Sequence, residues 1–160
     1  MIHIFTTGGS IDKTYSTVES DFVVGESHIA ALLNEANVNL LYRVTELFRK
    51  DSLVIDDADR ALILQSVRLS SSDQIVITHG TDTMVKTASV LSTVTDKTIV
   101  ITGAIRPTSF KVTDAVFKIG CSIIAAQVLS FGVYIVMNGR VFDWDKTRKD
   151  HETNQYVDSH

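Results

Sequence analysis

Gln74-Ile75-Val76-Ile77-Thr78-His79-Gly80-Thr81-Asp82-Thr83 is the stretch on which the fold turns. Its first five residues are almost continuously apolar and β-branched, and they run straight into a polar loop that contains glycine. A strand with one wet face alternates apolar with polar residues. A strand apolar on both faces belongs inside a parallel sheet with helices on either side. Thr98-Ile99-Val100-Ile101-Thr102 repeats the pattern and runs into Gly103-Ala104-Ile105-Arg106-Pro107. Working outward, Ile2 to Thr6, Leu40 to Phe48 and Val133 to Met137 read as further strands. The segments between them have helical periodicity: Ser27 caps a helix through Ala36, Asp56 or Asp57 caps one through Leu69, and Thr83 to Val94 and Asp114 to Ser130 supply two more. Asn138-Gly139, between Val133 to Met137 and Val141 to Trp144, is the strongest short signal for a two-residue hairpin. The expected fold is a three-layer α/β sandwich: a mainly parallel central sheet with an antiparallel hairpin at its edge.

With 160 residues, the length predicts one domain, placed at residues 1–145, followed by a polar tail over residues 146–160 that packs loosely or orders only against a partner. Hydrophobic residues at 44% against 21% charged exclude disorder as the main state. Fifteen basic and nineteen acidic side chains give a net charge of -4, without the basic stripe that phosphate-backbone binding needs, so nucleic acid is not an expected partner. No apolar run reaches the length of a membrane span and Met1 to Phe5 carry no cationic leader, so no membrane association is expected. One cysteine permits no internal disulfide, which fits a reducing, cytoplasmic setting; Cys121 lies in an apolar helix and reads as core. The five histidines have no ligand spacing, so no metal is expected. Neither a dinucleotide-binding glycine pattern nor a Walker-type lysine is present, so no cofactor is expected.

In an open parallel sheet, ligands collect beyond the carboxyl ends of the strands. Those ends carry Thr6-Thr7-Gly8-Gly9-Ser10, Lys50-Asp51-Ser52, His79-Gly80-Thr81-Asp82-Thr83 and Gly103-Ala104. Threonine, serine, aspartate and close-approach glycine therefore converge on one crevice. A threonine hydroxyl such as that of Thr7 is a nucleophile once a base takes its proton. Amides around Thr81, at a helix start, suit a developing oxyanion. Asp82 suits a substrate ammonium better than a phosphate, and Ser52 with its neighbouring amides suits a carboxylate. His79 reads as a structural residue under the loop.

Thr7-Gly8-Gly9-Ser10-Ile11 and Thr78-His79-Gly80-Thr81-Asp82-Thr83-Met84 resemble the two signature loops of the bacterial-type L-asparaginases and glutaminase-asparaginases, and Asp51-Ser52, Gly103 to Pro107 and Val136 to Gly139 extend the likeness. The resemblance covers only the N-terminal domain of that family. It implies an amidohydrolase that converts L-asparagine, or a related small amide, to aspartate and ammonia. Thr7 would be the nucleophile, Tyr15 its partner on a flap, and Thr81 a support for acyl transfer. Gly8, Asp51, Ser52, Thr81, Asp82 and Ala104 would line the substrate site, with Ser52 on the α-carboxylate, Asp82 on the α-amino group and the Ala104 carbonyl on the scissile amide. The family's catalytic lysine is expected at the position of Ala126, which leaves it missing. The acidic residue that a neighbouring subunit's C-terminal domain contributes would be missing as well. Two alternatives stay open: a non-catalytic or weakly active module that binds an amino acid or small amide, and a hydrolase of another amide or ester. Self-association, as a homodimer or higher homo-oligomer, is expected because a surface normally covered by the second domain is left bare.

Overall fold

The computed structural model describes residues 1–160. A six-stranded sheet runs in the order β4-β1-β5-β6-β7-β8, with β1 at Ile2–Gly8, β4 at Tyr42–Lys50, β5 at Gln74–Thr78, β6 at Thr98–Thr102, β7 at Gly132–Met137 and β8 at Arg140–Asp143. All pairings are parallel except β7 with β8. β1 and β6 are buried at every residue and β5 at four of its five, as continuous apolar strands demand. Ile2 pairs with Gln74 and Thr6 with Thr78, so the two signature loops leave adjacent strands. The Asn138-Gly139 turn has both residues at positive φ, 54° and 75°, the conformation that matches the twist of a two-residue hairpin.

Helices α1 (Ile29–Glu35) and α4 (Ala115–Val128) cover one face, where Ile29, Leu33, Ile119 and Ile123 pack on Ile4, Val76 and Val100. Helices α2 (Asp57–Leu69) and α3 (Met84–Leu91) cover the other, with Ile63, Val67, Ala88 and Leu91 on Phe5, Ile77 and Ile101. Asp56 starts α2 through a reciprocal capping box with Asp59. The step from β6 to β7 runs in the same direction across the sheet as the step from β5 to β6, yet α4 crosses on the face opposite to α3. The two crossovers therefore have opposite hands. The connections through α1, α2 and α3 agree with one another, so β6–α4–β7 is the uncommon left-handed one.

Two small hairpins complete the chain. Lys13 to Val24, the stretch that carries Tyr15 and is expected as a flap, pairs as β2 (Lys13–Ser16) with β3 (Asp21–Val24). The segment after residue 146, expected as a loose tail, instead folds back as β9 (Thr147–Asp150) and β10 (Gln155–Asp158). Tyr156 anchors this hairpin: it is buried in the core under α3, and its amide donates to Asn138 Oδ1 at 2.9 Å. A buried aromatic ring and a backbone ladder replace the solvated coil that the polar composition predicts.

Candidate active site

The chain leaves β1 for β4 on one side and returns to β5 on the other, so the order of connection reverses between β1 and β5. Such a reversal opens a crevice at the carboxyl ends of the strands. Thr7 ends β1, and Thr81 and Asp82 follow β5. The loops there touch through their backbones. Gly9 sits at φ +88°, and a Cβ on it would lie 2.5 Å from Gly80 Cα; a Cβ on Gly80 would lie 2.6 Å from Ser52 Cβ. Only glycine permits this approach. Ser52 Oγ accepts from the Asp82 amide at 3.3 Å, and the Ser52 carbonyl accepts from Thr83 Oγ1 at 2.9 Å. Thr7 is fully buried, and its hydroxyl donates to the Thr78 carbonyl at 2.8 Å.

The docked C-terminal hairpin supplies the group that completes this constellation. Lys149 Nζ, on β9, donates to Thr81 Oγ1 at 2.8 Å and to Asp82 Oδ1 at 2.6 Å. Its side chain is only 9% exposed, against 30% for Asp82. Tyr156 holds the same loop from β10, its hydroxyl donating to the Thr81 carbonyl at 2.6 Å; burial and the Asp82 carboxylate hold that phenol well above its usual pKa. His151 Nδ1 lies 3.9 Å from Asp82 Oδ1, with its side chain in solvent. A hydroxyl, an amine and a carboxylate in one hydrogen-bonded row form an arrangement able to move a proton to and from a threonine.

His79 is fully buried beneath the loop. Its Nδ1 lies 2.7 Å from the Gly80 carbonyl, which can only accept, so Nδ1 carries the proton and Nε2 accepts from Thr87 Oγ1 at 2.8 Å. Burial lowers its pKa to about 4, with the Arg60 charge acting the same way and the bond to Gly80 opposing. It is therefore a neutral strut at pH 7.

A family model described as "Asparaginase, N-terminal" matches residues 1–157. The chain belongs to the asparaginase family. It is 30% identical over 166 residues to "L-asparaginase 2" of Escherichia coli (strain K12), an alignment covering 96% of this chain and 47% of that protein. It is also 30% identical over 171 residues to a glutamyl-tRNA(Gln) amidotransferase protein of Archaeoglobus fulgidus, covering 96% of this chain and 40% of that one. Among solved structures, L-asparaginase I from Vibrio cholerae superposes with a TM-score of 0.87 at 26% identity, over 99% of this chain and 51% of that one. The chain thus spans about half the length of these asparaginases.

The asparaginase resemblance predicts an empty lysine position at Ala126, and the structure corrects this. Ala126 is 1% exposed in the last turn of α4, packed in the apolar core on the α1–α4 face. Three residues on, the Leu129 carbonyl accepts from Thr98 Oγ1 at the first residue of β6. Ala126 therefore lies at the opposite end of the strands from Thr81, and no side chain there reaches the crevice. The amine that does reach Thr81 and Asp82 is that of Lys149. The only signals for it were the short Thr147–Asp150 and Gln155–Asp158 strand patterns and Tyr156-Val157, in an otherwise polar segment.

Thr7, Gly8, Ser52, Thr81 and Asp82 come together as the sequence predicts. Gly8, at φ +94°, packs on the Lys50 backbone. Asp51 sits beside them as a cap: Oδ1 accepts from the Leu53 amide at 3.0 Å, and Oδ2 lies 3.4 Å from Lys13 Nζ on the β2–β3 hairpin. Ala104 is buried where β6 gives way to the next loop. Tyr15 stands apart, 57% exposed, with its ring edge-on to Phe22 at 5.6 Å between centroids. No three His, Cys, Asp or Glu side chains are grouped so as to hold a metal ion, and no helix is long and apolar enough to cross a membrane.

Proposed function

We propose that this chain is an asparaginase-type amidohydrolase that hydrolyses the side-chain amide of L-asparagine, or of a related small amide, to the acid and ammonia. The contact of Lys149 with both Thr81 and Asp82, beside Thr7 at the sheet's switch point, carries the reading. Thr7 turns from the Thr78 carbonyl and attacks the amide carbon, and its proton passes along the Thr81–Lys149 row to the leaving nitrogen. The C–N bond breaks as ammonia leaves with a proton. Water then attacks the acyl-threonine, releasing aspartate and restoring the hydroxyl. Ser52 holds the α-carboxylate, Asp82 the α-ammonium, and amides around Thr81 the oxyanion. The Ala104 carbonyl orients the scissile amide, and Tyr15 approaches from the β2–β3 hairpin. We place the enzyme in the cytoplasm, on the lone Cys121.

Ammonia release from asparagine, glutamine and related amides tests this. Thr7→Ala abolishes turnover while asparagine affinity stays within about tenfold, because the hydroxyl contributes mainly to the transition state. Turnover in Thr7→Ala equal to the wild type rejects the assignment.

A non-catalytic binding module is the second reading. One observation favours it: the Thr7 hydroxyl is fully buried and already engaged by the Thr78 carbonyl. Calorimetric binding of asparagine without ammonia release would select it.

A further inference from the structure

We propose that the Tyr156 hydroxyl is a positioning group for the substrate α-carboxylate, acting on Ser52 through the Thr81–Asp82 peptide and resting on the assignment of Ser52 to that carboxylate. The Thr81 carbonyl and the Asp82 amide are the two ends of one peptide group. Tyr156 Oη donates to the carbonyl end at 2.6 Å, and the amide end donates to Ser52 Oγ at 3.3 Å. A donor on the carbonyl polarises the peptide and strengthens the bond that its N–H gives on the other side. The Ser52 backbone is fixed separately, its carbonyl accepting from Thr83 Oγ1 at 2.9 Å. Ser52 Oγ accepts from the Asp82 amide and gives its own proton to no group of the protein. With one lone pair committed to that amide, the hydroxyl proton is turned away from it and left for an acceptor in the crevice. A substrate carboxylate is such an acceptor.

The ring alone would anchor the hairpin. Tyr156 is buried in the core under α3, its ring 6.5 Å from that of Phe142 between centroids, and its amide is held by Asn138 Oδ1. Phenylalanine would fill the same space without taking a hydroxyl out of water, a cost that only a hydrogen bond offsets. The one bond that this hydroxyl makes goes to the loop between two site residues, not to the hairpin that the ring holds. Burial and the Asp82 carboxylate raise the pKa of the phenol, so it remains a donor across the neutral range. The Asp82 side chain has its own anchor in Lys149 Nζ at 2.6 Å. Loss of the Tyr156 hydroxyl therefore disturbs the carboxylate end of the substrate and spares the ammonium end. The docked hairpin thus has two tasks at the site: Lys149 on β9 meets the side chains of Thr81 and Asp82, and Tyr156 on β10 sets the peptide between them.

Tyr156→Phe, with ammonia release and calorimetric affinity measured on three ligands, tests the role. Asparagine carries both head groups, succinamic acid only the carboxylate, and 3-aminopropanamide only the ammonium. The variant should bind asparagine and succinamic acid about five- to tenfold more weakly, the worth of one hydrogen bond. Its kcat on asparagine and its affinity for 3-aminopropanamide should stay within about twofold of the wild type, because the carboxylate contact is made equally in ground and transition states. A hydroxyl that only braces the fold would weaken all three ligands alike. A double-mutant cycle supplies the second readout: in a Ser52→Ala background, Tyr156→Phe should change asparagine affinity less than about twofold, since the group it acts through is gone. Equal losses on all three ligands, an unchanged asparagine affinity in Tyr156→Phe, or an undiminished loss in the Ser52→Ala background overturns the proposal. Binding is read apart from ammonia release, so a chain that binds these ligands without turnover fails the amidohydrolase reading while the affinity ratios still decide this one. A wild type that binds none of the three overturns both.

Discussion

Lys149 does two separable things at the residue scale. It pairs with Asp82, and in the proposed mechanism it relays the proton that passes through Thr81. Arginine keeps the charge but is not deprotonated in proteins, and methionine keeps neither function. Lys149→Met should lower stability by about 1–2 kcal/mol, less than for a fully buried pair because Asp82 stays partly hydrated. Lys149→Arg should lose less stability. Both should reduce ammonia release by roughly a hundredfold or more, the usual contribution of a positioned base. Urea titration alongside the ammonia assay separates the two effects, and an active Lys149→Arg would remove proton transfer from its role. Tyr156→Phe leaves the Thr81 carbonyl without its donor and should cost about 1 kcal/mol in the same titration.

At the scale of elements, the sequence was most legible where one physical pattern dominated. β5 and β6 could be read to the residue because burial on both faces leaves no alternation to misjudge. The convergence of Thr7, Ser52, Thr81 and Asp82 followed from topology alone, since a parallel sheet gathers its strand-end loops. The hand of the α4 crossover was not legible. Periodicity tells that α4 has an apolar side, but not which face of the sheet receives it, and the loop of residues 103–114 is long enough to reach either. β9–β10 was hidden because a four-residue strand carrying Lys149 and Arg148 has too few apolar side chains to stand out from a solvated tail. Placement of α4 decides the fate of Ala126→Lys. Its ammonium would enter an apolar core with no acidic partner, so the variant should lose about 3 kcal/mol or more and gain no ammonia release. A stable, more active Ala126→Lys would contradict the observed path of α4.

For the whole molecule, two buried groups on opposite faces of the sheet set opposing dependences of stability on pH. His79 has its folded pKa lowered from 6.5 to about 4. Its contribution is complete above 6.5 and is lost as pH falls toward 4, because the unfolded chain takes up the proton first. Asp12, in the turn after β1, is buried with Oδ1 lacking any hydrogen-bond partner. Burial first and the Glu46 charge second raise its pKa from 3.8 to about 7, against the opposing pull of Ser27, the His28 amide and Arg49. Its contribution has the reverse sign: complete below 3.8 and lost as pH rises through 7. Between about pH 4 and 6.5 the unfolded chain binds one more proton at His79 and one fewer at Asp12, so the slopes cancel to first order, with His3, also lowered by burial, adding slightly to the histidine side. The lowered pKa values of Asp59, Asp114 and Asp150 act below this window. Wild-type stability, from urea unfolding in steps across pH 4.5 to 6.5, should therefore be nearly flat. Asp12→Asn removes one of the two slopes and exposes the other, so its stability should rise with pH by about 1.4 kcal/mol per unit across the same window. An Asp12→Asn profile parallel to the wild type would mean that Asp12 is already ionised in the folded protein, with Glu46 and the buried Oδ1 accommodated in some other way.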